Sequence, residues 1–196
     1  MPNVGSRILD YMIQRNYRVR DFNIIYIEGV DPDTFALNND IPDLWNDTRN
    51  VIMRGGEIVI SAVATTEPGR FYSQQPMNPN GAARIKFGQF QDAWIIGKHH
   101  QQEALVQCNP IAVHRDLNKD GYRTGDNIQT GLFGINQHTT SNGPSTIGRW
   151  SAGCLVGRYP VTHKKFIELC RRSGAKLFDT TVLDGSELHR LGVLAG

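Results

Sequence analysis

Cys154, in the stretch SAGCLVG (151–157), lies sixteen positions after His138, and the pair is the first place to look for chemistry. A thiol attacks a carbonyl carbon only as thiolate, so a catalytic cysteine needs a base or a positive environment, partial exposure, and donors for the oxyanion it creates. Gly153 lets the backbone approach closely, which makes the amides of Gly153 and Cys154 candidate oxyanion donors, and Ser151 offers a hydroxyl beside them. His138 ends a predicted strand, LFGINQH. A Gly, Ser, Thr and Asn-rich loop (139–148) separates it from the strand or turn that carries Cys154. Two adjacent strands joined by such a loop bring imidazole to thiol. From the residues alone, a nucleophile and a small buried residue remain equal readings of Cys154.

Other residues invite a function. DLNKDGYRTGD (116–126) sets Asp116, Asn118 and Asp120 at alternate positions before Gly121, the beginning of a calcium loop, with Asp126 one place short of the usual last ligand. The competing reading is a connection held by Asx turns, and any calcium there is structural, since thiol chemistry requires no cofactor. His99 and His100 follow a strand and either line the groove or form a polar strand end. Trp150 and Arg149 stand beside the cysteine motif as candidate substrate contacts, whereas Trp94 reads as core. His163 and His189 read as surface residues. No glycine-rich phosphate loop is present.

The bulk of the chain bounds what surrounds these residues. At 196 residues and 39% hydrophobic content it can bury one core, so a single domain over 1–196 is expected: a helical segment at 1–22, a β core at 23–158, and a helix with a last strand at 159–196. With 21 basic against 19 acidic residues there is no charge run to hold nucleic acid. Three cysteines without a C-x-x-C spacing suggest neither a disulfide framework nor a cysteine zinc site. No stretch approaches a membrane span, and the first residues lack the apolar region of a general-secretion signal, so synthesis in the cytoplasm without that signal is expected.

Periodicity gives the elements. Ile8, Leu9, Met12 and Ile13 recur at helical spacing behind Ser6 as candidate N-cap. Strands follow at 23–30, 49–55, 57–66, 82–90, 92–99, 104–115 and 127–138, rich in Val, Ile, Phe and Thr. Tight junctions at RGGE (54–57) and QFQDA (89–93) predict hairpins, and residues 31–47 a long surface loop. A second helix spans 160–173, with Pro160 in its first turn, Cys170 on its apolar side and Gly174 as its stop. A final strand spans 176–183. The predicted architecture is mainly β, a sandwich or barrel with an N-terminal and a C-terminal flanking helix.

His138 followed by Ser151-x-Gly153-Cys154-Leu155 resembles the signature of the L,D-transpeptidase catalytic domain, in which a strand-borne histidine precedes a Ser/Thr-His-Gly-Cys segment. AVATTEPGRFY (62–72) resembles the same family's small-residue strand running into a Thr-Pro-Gly-Phe turn, so the likeness covers about residues 57–158. It implies an L,D-transpeptidase-type fold, a cysteine-bound acyl intermediate and peptidoglycan stem peptides as substrate. Cys154 is then the nucleophile, His138 the base, and Ser151 and Gly153 shape the site. The family's histidine before Gly-Cys is Ala152 here, and Val156 replaces a residue that is often polar or Arg. The resemblance leaves Arg158 or Arg149 to meet a substrate carboxylate. The pattern is most similar to the divergent SAGC branch found in bacteriophage and some bacterial proteins. That branch implies action on the cell wall from a phage particle, or after delivery by another system, with phage tail or other assembly proteins as partners. Either water or a second stem peptide completes the reaction. The competing class is a non-catalytic tail, baseplate or wall-binding module that keeps the fold.

Overall fold

In β1 (Phe22–Glu28) the run Ile24-Ile25-Tyr26-Ile27 is buried on both faces. Side chains alternate along a strand, so Ile24 and Tyr26 point into one apolar cluster while Ile25 and Ile27 point into another. The first cluster fills a barrel; the second lies between the barrel wall and the helices outside it. The computed structural model describes residues 3–195. Its elements, with α1 (Val4–Gln14) ahead of β1, continue as β2 (Asp47–Met53), β3 (Ile58–Thr65), α2 (Arg70–Gln74), β4 (Ala82–Ile85), β5 (Gly88–His99), β6 (Gln102–Gln107), β7 (Ile111–Asp116), β8 (Asn127–Gly131), β9 (Gln137–Thr139), β10 (Leu155–Gly157), α3 (Pro160–Arg172), β11 (Phe178–Asp184) and α4 (Gly185–Arg190). The fold is mainly β, and among the described residues no helix is long and apolar enough to cross a membrane.

The barrel closes in the order β1-β11-β5-β6-β9-β10-β3-β2, and β4-β7-β8 form a separate three-stranded sheet. Two of its pairings are parallel, β1 with β11 and β9 with β10. α1 sets Ile8, Leu9 and Met12 on the outer cluster, and α3 sets Phe166, Ile167 and Cys170 on the barrel cluster. The RGGE hairpin forms as its glycines predict, with Gly56 at φ +83° and its amide donating to the Met53 carbonyl.

Several expected boundaries are corrected. The α1 N-cap is Asn3, whose side chain accepts from the Ser6 amide, and Ile13 is exposed. QFQDA makes no hairpin: it runs inside the single strand β5, where Asp92 takes φ +53° at an irregularity in the pairing with β11. The hairpin is instead at His100 and Gln101, both at positive φ. The stretch 82–90 is divided between β4 and β5. The expected strand 104–115 breaks at Pro110 into β6 and β7, which belong to different sheets, and 127–138 divides likewise into β8 and β9. His163 is buried rather than on the surface.

The two sheets are joined by buried charge. Glu28 of β1 accepts from both arms of Arg123, one at 2.6 Å, and from Arg84 of β4 at 3.2 Å; Arg84 also pairs with Glu67. These guanidiniums outweigh burial and hold Glu28 down at about 2. The Thr66 hydroxyl lies between Glu28 and Asp47, 2.9 Å from Asp47 Oδ2. One hydroxyl proton cannot serve two carboxylates, so one acid must carry a proton of its own. Burial and then the neighbouring Glu28 charge push Asp47 well above the usual carboxylate range, which favours Asp47 as the acid that holds it.

Candidate active site

Gln137, His138 and Thr139 make up the whole of β9, and alternation decides where they point. Gln137 is fully buried, accepts from the Tyr26 hydroxyl at 3.2 Å and donates to Thr180 Oγ1 at 2.7 Å, inside the barrel. His138 therefore faces the opposite side. There it borders an open groove of about 760 Å³ with His99, His100, Thr139, Arg149, Trp150, Ala152 and Cys154, and the lining also includes Ala83 and Arg115 of the second sheet and Gly81 just before β4.

Cys154 is the residue before β10, and the parallel register sets Val156 beside His138 and Leu155 beside Gln137. One ring nitrogen of His138, one of His99 and the Cys154 Sγ lie within 4.8 Å of one another. The distant imidazole and thiol are thus brought together, with a second imidazole beside them. Hydrogen bonds give the two rings different roles. His138 Nδ1 faces the Thr139 carbonyl at 3.1 Å, so it carries the proton and leaves the Nε2 lone pair free. His99 Nδ1 faces the Asn136 amide nitrogen at 3.0 Å, and the orientation of that amide is set because Asn136 Oδ1 accepts from the Gln107 amide at 3.0 Å. His99 consequently presents N–H from Nε2. The rings stack with centroids 4.3 Å apart. One offers a lone pair and the other an N–H.

Both histidines are held neutral. Burial, followed by the nearby His99 and Arg49, lowers His138 to about 4 despite its bond to Thr139 O, and burial with His100 lowers His99. Burial also raises the Cys154 thiol, against the opposing pull of the Asn136 amide 3.5 Å from Sγ. Burial thus favours thiol and neutral imidazole over thiolate and imidazolium in this pair.

Ser151 and Gly153 have structural duties that differ from those expected. The Ser151 hydroxyl is buried, donates to the Cys154 carbonyl at 2.8 Å and accepts from the Gly153 amide at 3.1 Å. The Gly153 N–H is thereby removed from the list of oxyanion donors. The Cys154 N–H meets no acceptor among the described residues and remains the candidate. Gly153 is required by space and by conformation: its φ is +127°, and a Cβ there would sit 2.4 Å from the Ala83 carbonyl oxygen. That contact seats the cysteine turn against β4.

The approach to Cys154 is braced from the loop at 31–46. Asp43 Oδ1 accepts from the amides of Gly148 and Arg70, at 2.7 and 2.8 Å, and the Asp43 carbonyl accepts from Ile147. Arg149 lies over the Phe71 ring at 3.6 Å and lines the groove with Trp150. Arg158 is not brought to the groove; its Nε donates to the carbonyls of Gly143 and Pro144, which fixes the loop between the histidine and the cysteine.

Arg49, which sequence reasoning left unmarked, clamps the site from behind. It is buried with no acidic partner among the described residues, donates to the Tyr26 hydroxyl at 2.6 Å, meets His163 Nδ1 at 2.9 Å, and reaches the carbonyls of His138 at 3.0 Å and Leu155 at 3.4 Å. One planar guanidinium holds both strands that carry the reactive pair. A signal existed: Arg49 shares its strand face with Val51, a core residue.

In the 116–126 loop, Asp116 accepts from the amides of Asp120 and Gly121, Asn118 bonds Asp120, and Asp120 accepts from Tyr122. These are Asx-type bonds, and Asp116, Asp120 and Asp126 do not form a gathered ligand group among the described residues. Glu28, Asp40 and Glu67 do gather, around the guanidinium of Arg84. No known protein-family model matches this chain, and no curated protein matches it.

Proposed function

We propose that this chain is a cysteine acyl-transfer enzyme of the L,D-transpeptidase type, acting on peptidoglycan stem peptides, with its wall substrate reached from a phage particle or through another delivery system. The observation that carries the reading is the open groove in which a ring nitrogen of His138, whose Nε2 lone pair is free, lies within 4.8 Å of the Cys154 sulfur. His138 Nε2 takes the Sγ proton as sulfur bonds to the peptide carbonyl carbon. The Cys154 amide and the His99 N–H are the donors available to the resulting oxyanion. The C–N bond then breaks, the His138 imidazolium returns its proton to the leaving amine, and a thioester remains on Cys154. Water or an incoming amine, deprotonated by His138, attacks that thioester and frees the thiol.

The test is to incubate the protein with peptidoglycan fragments and follow Cys154 adducts by intact mass, in parallel with Cys154→Ala and His138→Ala. An adduct is expected in the wild type, none in Cys154→Ala, and formation about 10²-fold slower or more in His138→Ala, the usual scale of general-base catalysis. Tight wall binding without adduct or product would instead mark a non-catalytic wall-binding module.

A further inference from the structure

Arg115 lines the groove yet is only 6% exposed. Its Nε donates to Gln129 Oε1 at 2.9 Å, Nη1 reaches the Gly81 carbonyl at 3.4 Å, and the guanidinium lies 4.7 Å from the centre of the Phe133 ring. These contacts fix its plane. Nη2 meets no acceptor, and no carboxylate pairs with the group among the described residues. A guanidinium stays charged in proteins, and Arg115 Nη2 is not one of the sealed, unpaired polar atoms, so a fixed cation keeps a donor accessible to an incoming anion. Burial alone lowers the pKa of Arg115, as expected of a cation lacking its partner.

The rest of the groove agrees. Arg149 is a second cation bordering it, and no aspartate or glutamate lines it among the described residues. Arg115 also borders a shallower hollow that contains Asp126, but Phe133 beneath the guanidinium and Gly81 at its edge both belong to the groove wall. Through β4 the arginine is coupled to the reactive turn, because Arg115 is paired with Ala83, the residue against which Gly153 is seated.

We propose that Arg115 is a preorganised carboxylate anchor, so that the groove selects acyl donors or acceptors carrying a free carboxylate over their amidated counterparts. The inference rests on the reading of Cys154 as the reactive group of this groove, and it names the substrate class. The carboxylate comes from a peptide C-terminus or from an acidic side chain, and planar two-point recognition suits both.

Two measurements separate this inference from the enzymatic reading. The first uses maleimides that carry a carboxylate or a neutral amide on spacers of increasing length, with labelling of Cys154 followed by peptide mapping; it needs no turnover. At the spacer that reaches Arg115, the carboxylate reagent is expected to react about three- to tenfold faster than its amide twin, the range for a charge-assisted hydrogen bond in a half-open site. The ratio falls to about one in Arg115→Gln, recovers in part in Arg115→Lys, and changes less in Arg149→Gln. Melting temperatures identify any variant that fails to fold, and Arg115→Lys then serves as the comparison. The second uses stem peptides with the C-terminal or the side-chain carboxyl singly amidated, with binding measured on Cys154→Ala, to identify the source of the carboxylate. Charge-independent labelling at every spacer length, or a preference that survives unchanged in Arg115→Gln, overturns the proposal. Arg115-dependent labelling without peptide acylation keeps the anchor and rejects the stem-peptide reading.

Discussion

Arg49→Met is expected to lower the midpoint of thermal unfolding by about 10 °C and to slow acylation of Cys154 more than that loss of stability accounts for. Among the described residues the guanidinium is the one donor to the Tyr26 oxygen and to His163 Nδ1, and it ties the carbonyls of His138 and Leu155 to one rigid plane. Met fills much of the volume and leaves those groups buried without their donor. Stranding several buried polar groups is worth about 3 kcal/mol, and each kcal/mol moves the midpoint of a chain this size by about 2–4 °C. Arg49→Lys should not rescue, because a single ammonium cannot span the hydroxyl and both strands. Circular dichroism melts with intact-mass kinetics below the transition check both halves. A midpoint within about 2 °C of wild type would show that the clamp contributes little.

Alkylation of Cys154 by a neutral haloacetamide is expected to rise about tenfold per pH unit from pH 6 upward, without a plateau in mildly acid solution, because only the thiolate reacts. The sign follows from both members of the pair. Burial raises the thiol, so its reactive form accumulates only above the ordinary cysteine range, and burial lowers His138 to about 4, so at pH 6 the imidazole is already neutral and offers no stabilising charge. A preformed thiolate–imidazolium pair would give the opposite profile, with fast labelling already at pH 5. Rates measured from pH 5 to 9 with peptide mapping decide between them, and an acid plateau would require proton transfer before substrate arrives rather than during attack.

The β elements were largely legible because period-two patterning and Gly-rich turns are local: the apolar run of β1 and the glycines of RGGE required no tertiary knowledge. The candidate pair was legible for a related reason, since a strand-end histidine, a flexible loop and a Gly-Cys turn imply neighbouring strands. What failed was non-local. Asp92 keeps β5 continuous at a backbone angle that reads as a turn, and there its amide donates to Asp179 Oδ1 of the neighbouring strand β11, 87 residues later. The strand expected over 104–115 ran through Pro110, where the chain breaks, and nothing local shows that β6 and β7 enter different sheets. Ser151 was placed beside the thiol by proximity in sequence, whereas its hydroxyl turns inward to the Cys154 carbonyl. Arg49 and Arg115 were passed over because arginine in a strand reads as solvent-facing, and only the assembled walls show one locked inside and the other set into the groove.

The barrel is not equally strong around its circumference. β9 and β10 are staves of three residues each, and β9 is fastened to β6 by the single rung of Leu105 opposite Gln137, whereas β2 and β3 share a ladder running from Asp47 to Ile52. The seam with the fewest rungs is the one between β6 and β9, the strand that carries His138, so it should part first on warming. Amides of β9 and β10 should exchange with solvent at temperatures where the remaining staves stay protected, and labelling of the thiol should lose its selectivity before the far-ultraviolet signal changes.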